Sequence, residues 1–148
     1  MTTTNFTTTL VVDQTPAQVF KAVNSPQNWW WGDIKGNAAK LNDQFEYRYE
    51  DMHYSRQEII EMIADRKVVW LVTDSKLNFI ERKDEWTGTK IIFEISKNGD
   101  KTQLCFTHAG LQPAVECYDG CTIAWTRLIQ QSLHKYITGG VSEKSRLG

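Results

Sequence analysis

Residues 114–140 read AVECYDGCTIAWTRLIQQSLHKYITGG, and this stretch decides the fold. Apolar and small side chains recur in it at the spacing of one face of an α-helix. The residues on that face are Cys117, Cys121, Ala124, Trp125, Leu128, Ser132 and Tyr136. Gly139 and Gly140 then supply a helix stop. A helix of about 24 residues would be about 36 Å long, enough to cross an entire β-sheet.

The sheet is predicted by alternating apolar and polar residues upstream of this helix. QFEYRYE (44–50) puts Phe45, Tyr47 and Tyr49 on one face. TKIIFEISKNGDKTQLCFTH (89–108) is typical of a β-hairpin with NGD as its turn. Three further strands are expected in SRQEIIEMIAD, KVVWLVTDS and LNFIERKDEW, and a threonine-rich one at 6–12. About seven strands in a curved antiparallel sheet result.

Two short helices are expected after the first strand. In TPAQ (15–18), Thr15 suits the N-cap, Pro16 the first helical position and Gln18 the capping box. NSPQNWWW (24–31) repeats this logic with Ser25 as the cap. Three consecutive tryptophans cannot share one face of a helix or strand. We expect at least two of the rings to hold this second helix against the core.

Composition limits the function classes. The 148 residues suit one domain, taken as 1–148, and the net charge of -1 predicts no nucleic-acid partner. No apolar run is long enough to span a membrane, and no secretory signal opens the chain. Three cysteines argue against a disulfide framework. We therefore expect a cytoplasmic protein.

The sequence resembles the START-like (SRPBCC, helix-grip) superfamily. More narrowly, it is similar to the C-terminal domain of the activator of the ninety-kilodalton heat-shock chaperone ATPase. The segments that carry the resemblance are TPAQVFKAVNSPQNWW (15–30), DQFEYRYE (43–50), VVWLVTDSKLNF (68–79), EWTGTKIIFEI (85–95), TQLCFTHAGL (102–111) and ECYDGCTIAW (116–125).

The resemblance implies an α+β helix-grip fold. A curved antiparallel sheet of about six to seven strands would wrap around the long C-terminal helix, with two short helices after the first strand. In this superfamily the helices close a cavity against the sheet, and most members bind apolar or amphipathic small molecules.

Candidate ligand-binding residues follow from this arrangement and from the inward aromatic set. They are Trp30, Phe45, Tyr47, Tyr49, Trp70, Trp86, Phe93, Phe106, His108, Cys121 and Trp125. Trp30 is the ring expected at the cavity mouth. The alternative is that these aromatic residues form a solid core without a cavity.

His108 and Cys121 are the weak catalytic candidates. His108 ends the strand that leads into the last helix, so it could act as a base for the Cys121 thiol. The alternatives are a hydrogen-bonded structural histidine and a small packing cysteine. Cys117 and Cys121 have no partners in a recognised metal-ligand spacing, so no metal and no cofactor are expected.

Three functions remain open. The sequence favours a small-molecule binding protein over an enzyme, with an apolar or amphipathic ligand. The first alternative is a chaperone-associated interaction module, although nothing in the sequence supports a chaperone partner. The second is a cyclase- or hydrolase-type enzyme using His108, Tyr47 or Tyr49 in the same cavity. A homodimer is compatible with all three.

Overall fold

The computed structural model describes residues 5–30, 32–78, 80–81, 83–111 and 118–140. The chain is an α+β helix-grip fold, in which a curved seven-stranded antiparallel sheet packs against a C-terminal helix. The strands are β1 (Phe6–Val12), β2 (Asp33–Gly36), β3 (Gln44–Tyr49), β4 (His53–Ile63), β5 (Lys67–Leu77), β6 (Lys90–Asn98) and β7 (Lys101–Ala109). Trp31, Phe79 and Cys117 lie outside the described residues.

Neighbouring strands are mostly consecutive in sequence, in the order β1-β7-β6-β5-β4-β3-β2. The predicted hairpin is confirmed, because β6 and β7 pair from Lys90 with Ala109 to Asn98 with Lys101. Two register shifts interrupt the pairing of β4 with β5. Such bulges bend strands, which helps the sheet to curve around the helix.

The inward face of the sheet forms the core. Along β7, Leu104, Phe106 and His108 are buried as the alternation predicts. On β6 the buried residues include Phe93, which packs edge-on against Phe106 at 5.3 Å between ring centroids. The core therefore consists largely of aromatic rings.

One predicted strand is wrong and one was missed. Most of LNFIERKDEW lies beyond β5, which ends at Leu77, and its remaining described residues form turns and bends. The four-residue β2 replaces it in the strand count. Gly32 leads into β2 with a φ of +100°, and a Cβ there would lie 2.6 Å from the Arg48 carbonyl oxygen. Only glycine fits this close approach without a shift of the chain.

Both short helices begin where the sequence predicts, but the second is only a single turn and lacks the predicted side-chain cap. α1 (Pro16–Val23) has a complete capping box between Thr15 and Gln18. A single 3-10 turn (Pro26–Asn28) follows. The Ser25 hydroxyl does not cap this turn but donates to the Lys21 carbonyl at 3.0 Å. Too few residues separate it from α1 for an independent helix, so the turn continues from the end of α1.

The C-terminal helix has 22 residues. It consists of α2 (Tyr118–Arg127), a π-helical segment (Leu128–Leu133) and α3 (His134–Gly139). A π-segment adds a residue to the turn and so rotates the buried face. The buried residues are Cys121, Trp125, Leu128, Ile129, Ser132, Leu133 and Ile137. Tyr136, which the regular spacing places on this face, is only partly buried.

Replacing Gly120 with alanine is expected to stabilise the protein by about 0.5–1 kcal/mol. Gly120 lies inside α2, and an added Cβ would meet nothing within 4 Å. The substitution would therefore restrict the unfolded chain without straining the helix. Urea unfolding of the two proteins measures the difference, and a loss of stability would contradict the open surroundings of this residue.

Candidate functional site

An apolar cavity lies between the C-terminal helix and the region where β3 turns into β4. Its volume is about 290 Å³, close to the lower end of the range typical of small-molecule sites. Eleven of the described residues line it: Trp30, Tyr47, Tyr49, Met52, His53, Trp86, Gly120, Cys121, Ala124, Trp125 and Leu128. These eleven include no lysine, arginine, aspartate or glutamate.

Stacked aromatic rings form the inner wall of the cavity. Trp30 stacks on Tyr47 at 4.0 Å between centroids and 14° between planes. Trp86 stacks on Trp125 at 5.7 Å and 11°. The two pairs are joined because Trp30 and Trp125 lie 5.2 Å apart. Such contacts fix the rings relative to one another, so the wall is rigid.

The cavity opens between the β3–β4 turn and α2. Tyr49 and Met52 stand on the sheet side and are 40% and 47% exposed. Gly120 and Ala124 face this opening from the helix and are also exposed. Their small size leaves the gap that a larger helical side chain would close.

The structure brings six of the predicted site residues to the cavity and five elsewhere. The six are Trp30, Tyr47, Tyr49, Trp86, Cys121 and Trp125. The five are buried but are not among the lining residues: Phe45, Trp70, Phe93, Phe106 and His108. Phe45 and Trp70 pack edge-on at 4.9 Å inside the aromatic core. A ligand role for the six stays a prediction.

The two described rings of the tryptophan run are held in the interior as expected, but Trp30 lies in the inner wall of the cavity and not at its mouth, where the sequence placed it. Trp29 and Trp30 are both buried and stack at 6.4 Å between centroids. The Trp29 indole N–H donates to the Ala22 carbonyl at 2.9 Å, which ties the 3-10 turn to the end of α1. Of the two, Trp30 is the one that lines the cavity.

His108 is held in a chain of hydrogen bonds behind the aromatic wall. The Trp125 indole N–H donates to Nδ1 of His108 at 3.0 Å. The Thr89 hydroxyl donates to the Trp86 carbonyl at 2.6 Å, so it accepts from Nε2–H of His108 at 2.8 Å. Because Nδ1 accepts and Nε2 donates, His108 is the neutral Nε2–H tautomer.

This chain makes His108 a positioning residue. Through Trp125 and Thr89 it links the C-terminal helix to the loop that carries Trp86. Both ring nitrogens are thereby engaged, and neither is left to serve Cys121 as a base. The geometry gives no support to a catalytic pair of His108 and Cys121.

His53 is a cavity residue that the sequence reasoning missed. Its ring packs edge-on against Tyr47 at 5.0 Å and against Trp86 at 4.5 Å. It begins β4, where Ser55 and Gln57 are also on the inward face and fully buried. Alternation counted back from the buried Ile59 would have found this inward polar row, which the search for aromatic residues passed over.

The ionisable groups near the cavity are held neutral. Burial lowers the pKa of His53 to about 3. Burial, with a smaller effect of His53, also lowers the pKa of His108 to about 3. Burial raises the pKa of the Tyr47 hydroxyl above its usual range. Each effect disfavours the charged form in apolar surroundings.

Among the described residues, no three histidine, cysteine, aspartate or glutamate side chains cluster as metal ligands would. Within those residues, no helix combines the length and the apolar character needed to cross a bilayer.

Solved structures share this fold at low sequence identity. The Aha1 dimer from Colwellia psychrerythraea matches with a TM-score of 0.74 and 19% identity, covering 93% of this chain and 98% of that one. SSP2350 from Staphylococcus saprophyticus matches with a TM-score of 0.68 and 16% identity, covering 94% and 95%. CalU16 from Micromonospora echinospora matches with a TM-score of 0.63 and 14% identity, covering 90% and 76%. At these identities the likeness shows the fold alone.

Sequence comparison gives the family. No curated protein matches the chain. Residues 13–138 match the family described as Activator of Hsp90 ATPase homolog 1-like protein, which is most of the chain from the end of β1 through α3. The resemblance to the SRPBCC superfamily and to its Aha1-type branch is confirmed. The chain therefore belongs to the family of Activator of Hsp90 ATPase homolog 1-like proteins.

Proposed function

We propose that this protein is a single domain, 1–148, that binds an apolar or amphipathic small molecule in the cavity between the sheet and the C-terminal helix. The observation that carries the proposal is the cavity itself: about 290 Å³, open on one side and lined mainly by apolar and aromatic side chains. A concave apolar site with a few polar groups is what small-molecule recognition requires.

A binding role is favoured over an enzyme by the state of the polar groups. His108 lies behind Trp86 and Trp125 with both ring nitrogens bonded. Tyr47 reaches the cavity, but its raised pKa keeps it from acting as a base near neutral pH. The six predicted residues that line the cavity are thus proposed as ligand contacts, and catalysis is not part of the proposal.

Replacing Ala124 with phenylalanine is expected to abolish ligand binding, because the added ring would fill the opening opposite Tyr49 and Met52. The probes are naphthalene and 2-decanone, an aromatic and an aliphatic molecule. A probe present at about one hundred times its Kd should raise the Tm of the unmodified protein by about 5–10 °C. In the variant the rise should disappear.

The matched control is Ile123→Phe. Ile123 is the adjacent residue on α2, is 63% exposed and does not line the cavity. This variant should keep the full rise in Tm, and the Tm without probe reports whether each variant folds. If the Ala124→Phe variant folds and keeps the rise, the ligand binds elsewhere and the proposal is wrong. If neither probe raises the Tm of the unmodified protein, the proposal is also wrong.

A homodimer in the cytoplasm is the second part of the proposal. The Colwellia psychrerythraea protein with this fold is a dimer. Light scattering of the purified protein is expected to give twice the chain mass of 17.1 kDa. A mass of one chain across the micromolar range would contradict the dimer without affecting the binding proposal.

A further inference from the structure

We propose that the cavity takes an uncharged, flat molecule of about two aromatic rings that carries a hydrogen-bond acceptor, and that Nδ1–H of His53 donates to this acceptor. The inference rests on the proposed function and names the chemical class of its ligand. Charge, size and shape, and hydrogen bonding each support one part of it.

The lining residues that the structure describes disfavour a charged ligand. None of these described residues is a lysine, arginine, aspartate or glutamate. An ion moved from water into such a site would lose its hydration without gaining a partner of opposite charge, which costs several kcal/mol. His53 does not supply that charge, because burial keeps it neutral at physiological pH.

The volume and the walls favour a flat molecule of limited size. An apolar cavity of about 150 Å³ holds one benzene ring, so about 290 Å³ suits two. Six of the eleven lining residues have aromatic rings, counting the imidazole of His53. Contacts between rings contribute about 0.5–1.5 kcal/mol beyond the burial of area. An aliphatic chain of equal size cannot make those contacts.

The buried polar residues Ser55 and Gln57 on β4 determine which ring nitrogen of His53 carries the hydrogen. The Gln57 amide N–H donates to the Ser55 hydroxyl oxygen at 2.6 Å. The Ser55 hydroxyl lies 3.2 Å from Nε2 of His53. With the Gln57 amide in this orientation, Nε2 is the acceptor within reach of the Ser55 hydroxyl hydrogen among the described residues, and the hydrogen of the neutral imidazole is then on Nδ1.

Nδ1–H of His53 is then the donor available to a ligand. It makes no hydrogen bond to any of the described residues. Edge-on contacts with Tyr47 and Trp86 hold the ring in place at the cavity wall. A ligand carbonyl that accepts from this N–H exchanges its hydrogen bond to water for one to the protein. A ligand N–H would instead face another donor. The preference is therefore for an acceptor.

A panel of probes of similar size tests the three parts in the unmodified protein, with binding measured by isothermal titration calorimetry. Coumarin is flat, uncharged and carries a carbonyl. We expect it to bind about fivefold more tightly than naphthalene, which lacks an acceptor, since one hydrogen bond contributes about 1 kcal/mol. Indole, a donor only, should bind no better than naphthalene. Coumarin-3-carboxylate and 2-decanone should each bind at least about fivefold more weakly than coumarin.

The His53→Phe variant tests the hydrogen bond directly. Phenylalanine keeps a ring at the wall and removes both nitrogens, so naphthalene should bind as before while the advantage of coumarin disappears. Naphthalene binding also reports that the variant folds. If it does not fold, the comparison of coumarin with indole in the unmodified protein still decides between an acceptor and a donor.

The outcomes separate this inference from the proposed function. Tighter binding of indole, coumarin-3-carboxylate or 2-decanone than of coumarin, sensitive to Ala124→Phe, would overturn the ligand class and leave the binding site in place. A coumarin advantage that survives in His53→Phe would overturn the role of His53. Failure of every probe to bind at the cavity would overturn the proposed function itself.

Discussion

Replacing Trp30 with alanine is expected to lower the free energy of unfolding by about 3–5 kcal/mol. Trp30 is buried, and its ring is within 6.4 Å, centroid to centroid, of the rings of Trp29, Phe45, Tyr47, Trp70 and Trp125. Removing it leaves a hole between the 3-10 turn, the sheet and the C-terminal helix. These surroundings are fixed by other contacts and can close the hole only in part, so the loss is expected at the upper end for a core residue.

Tyr49→Ala is the control for this prediction. Tyr49 lines the same cavity but is 40% exposed, so its removal should change stability by no more than about 0.5 kcal/mol. Chemical denaturation of the three proteins gives the comparison. A loss below about 1 kcal/mol in Trp30→Ala would show that the aromatic wall is not packed as described.

Lowering the pH from 7 to 5 is expected to cost about 2 kcal/mol of stability through His108 alone. Burial lowers the pKa of His108 in the folded protein to about 3, whereas an exposed histidine in the unfolded chain titrates near 6.5. Between these values the unfolded chain binds a proton that the folded protein does not. Stability is therefore complete above pH 6.5 and falls by about 1.4 kcal/mol per pH unit as the pH drops toward 3.

The pKa of His108 is low in the folded protein both because the ring is buried and because of the hydrogen bond at Nδ1. Protonation would place a hydrogen on Nδ1, opposite the indole N–H of Trp125 that now donates to it. His53 adds an effect of the same sign, since burial also lowers its pKa to about 3. Measurements above pH 5 keep most carboxylates ionised, so the slope in this range reports the histidines.

His108→Gln isolates the effect of His108. The glutamine amide can accept from Trp125 and donate to Thr89 but does not titrate. Urea unfolding at several pH values between 5 and 7.5 should give the same stability trend above pH 6.5 and, below about pH 6, a slope smaller by up to about 1.4 kcal/mol per pH unit than in the unmodified protein. Equal slopes in the two proteins would mean that His108 is not kept neutral by the fold.

The elements with strong local signals could be predicted. The Thr15 capping box, the β6–β7 hairpin and the C-terminal helix were each predicted from a few neighbouring residues. The short β2 was not, because its four residues are held mainly by pairing with β3 and carry no alternation long enough to detect. The expected strand over LNFIERKDEW failed for the converse reason, since its alternating residues have no neighbouring strand to pair with once β5 ends.

The site was predicted less completely than the fold. Alternation identified which side chains face inward, such as Phe45 and Tyr47 on β3. Alternation does not show at which position along a strand the cavity lies. It therefore could not distinguish Phe45, which packs within the core, from Tyr47, which lines the cavity. The position of the cavity depends on which inward residues the 3-10 turn and the C-terminal helix cover, and those elements are distant in sequence.

The sequence by itself determined the class of fold and the set of inward-facing side chains, because these follow from short-range periodicity and capping, and its resemblance over nearly the whole chain gave the family. Only the tertiary structure decided that the exposed lining residues of the cavity are Gly120 and Ala124 from α2 and Tyr49 and Met52 from the end of β3 and the turn after it. It alone showed that His108 is bonded on both ring nitrogens while His53 faces the cavity. The physical reason is that a void and a hydrogen-bonded tautomer are properties of groups brought together from separate elements, and no local pattern encodes the distance between them.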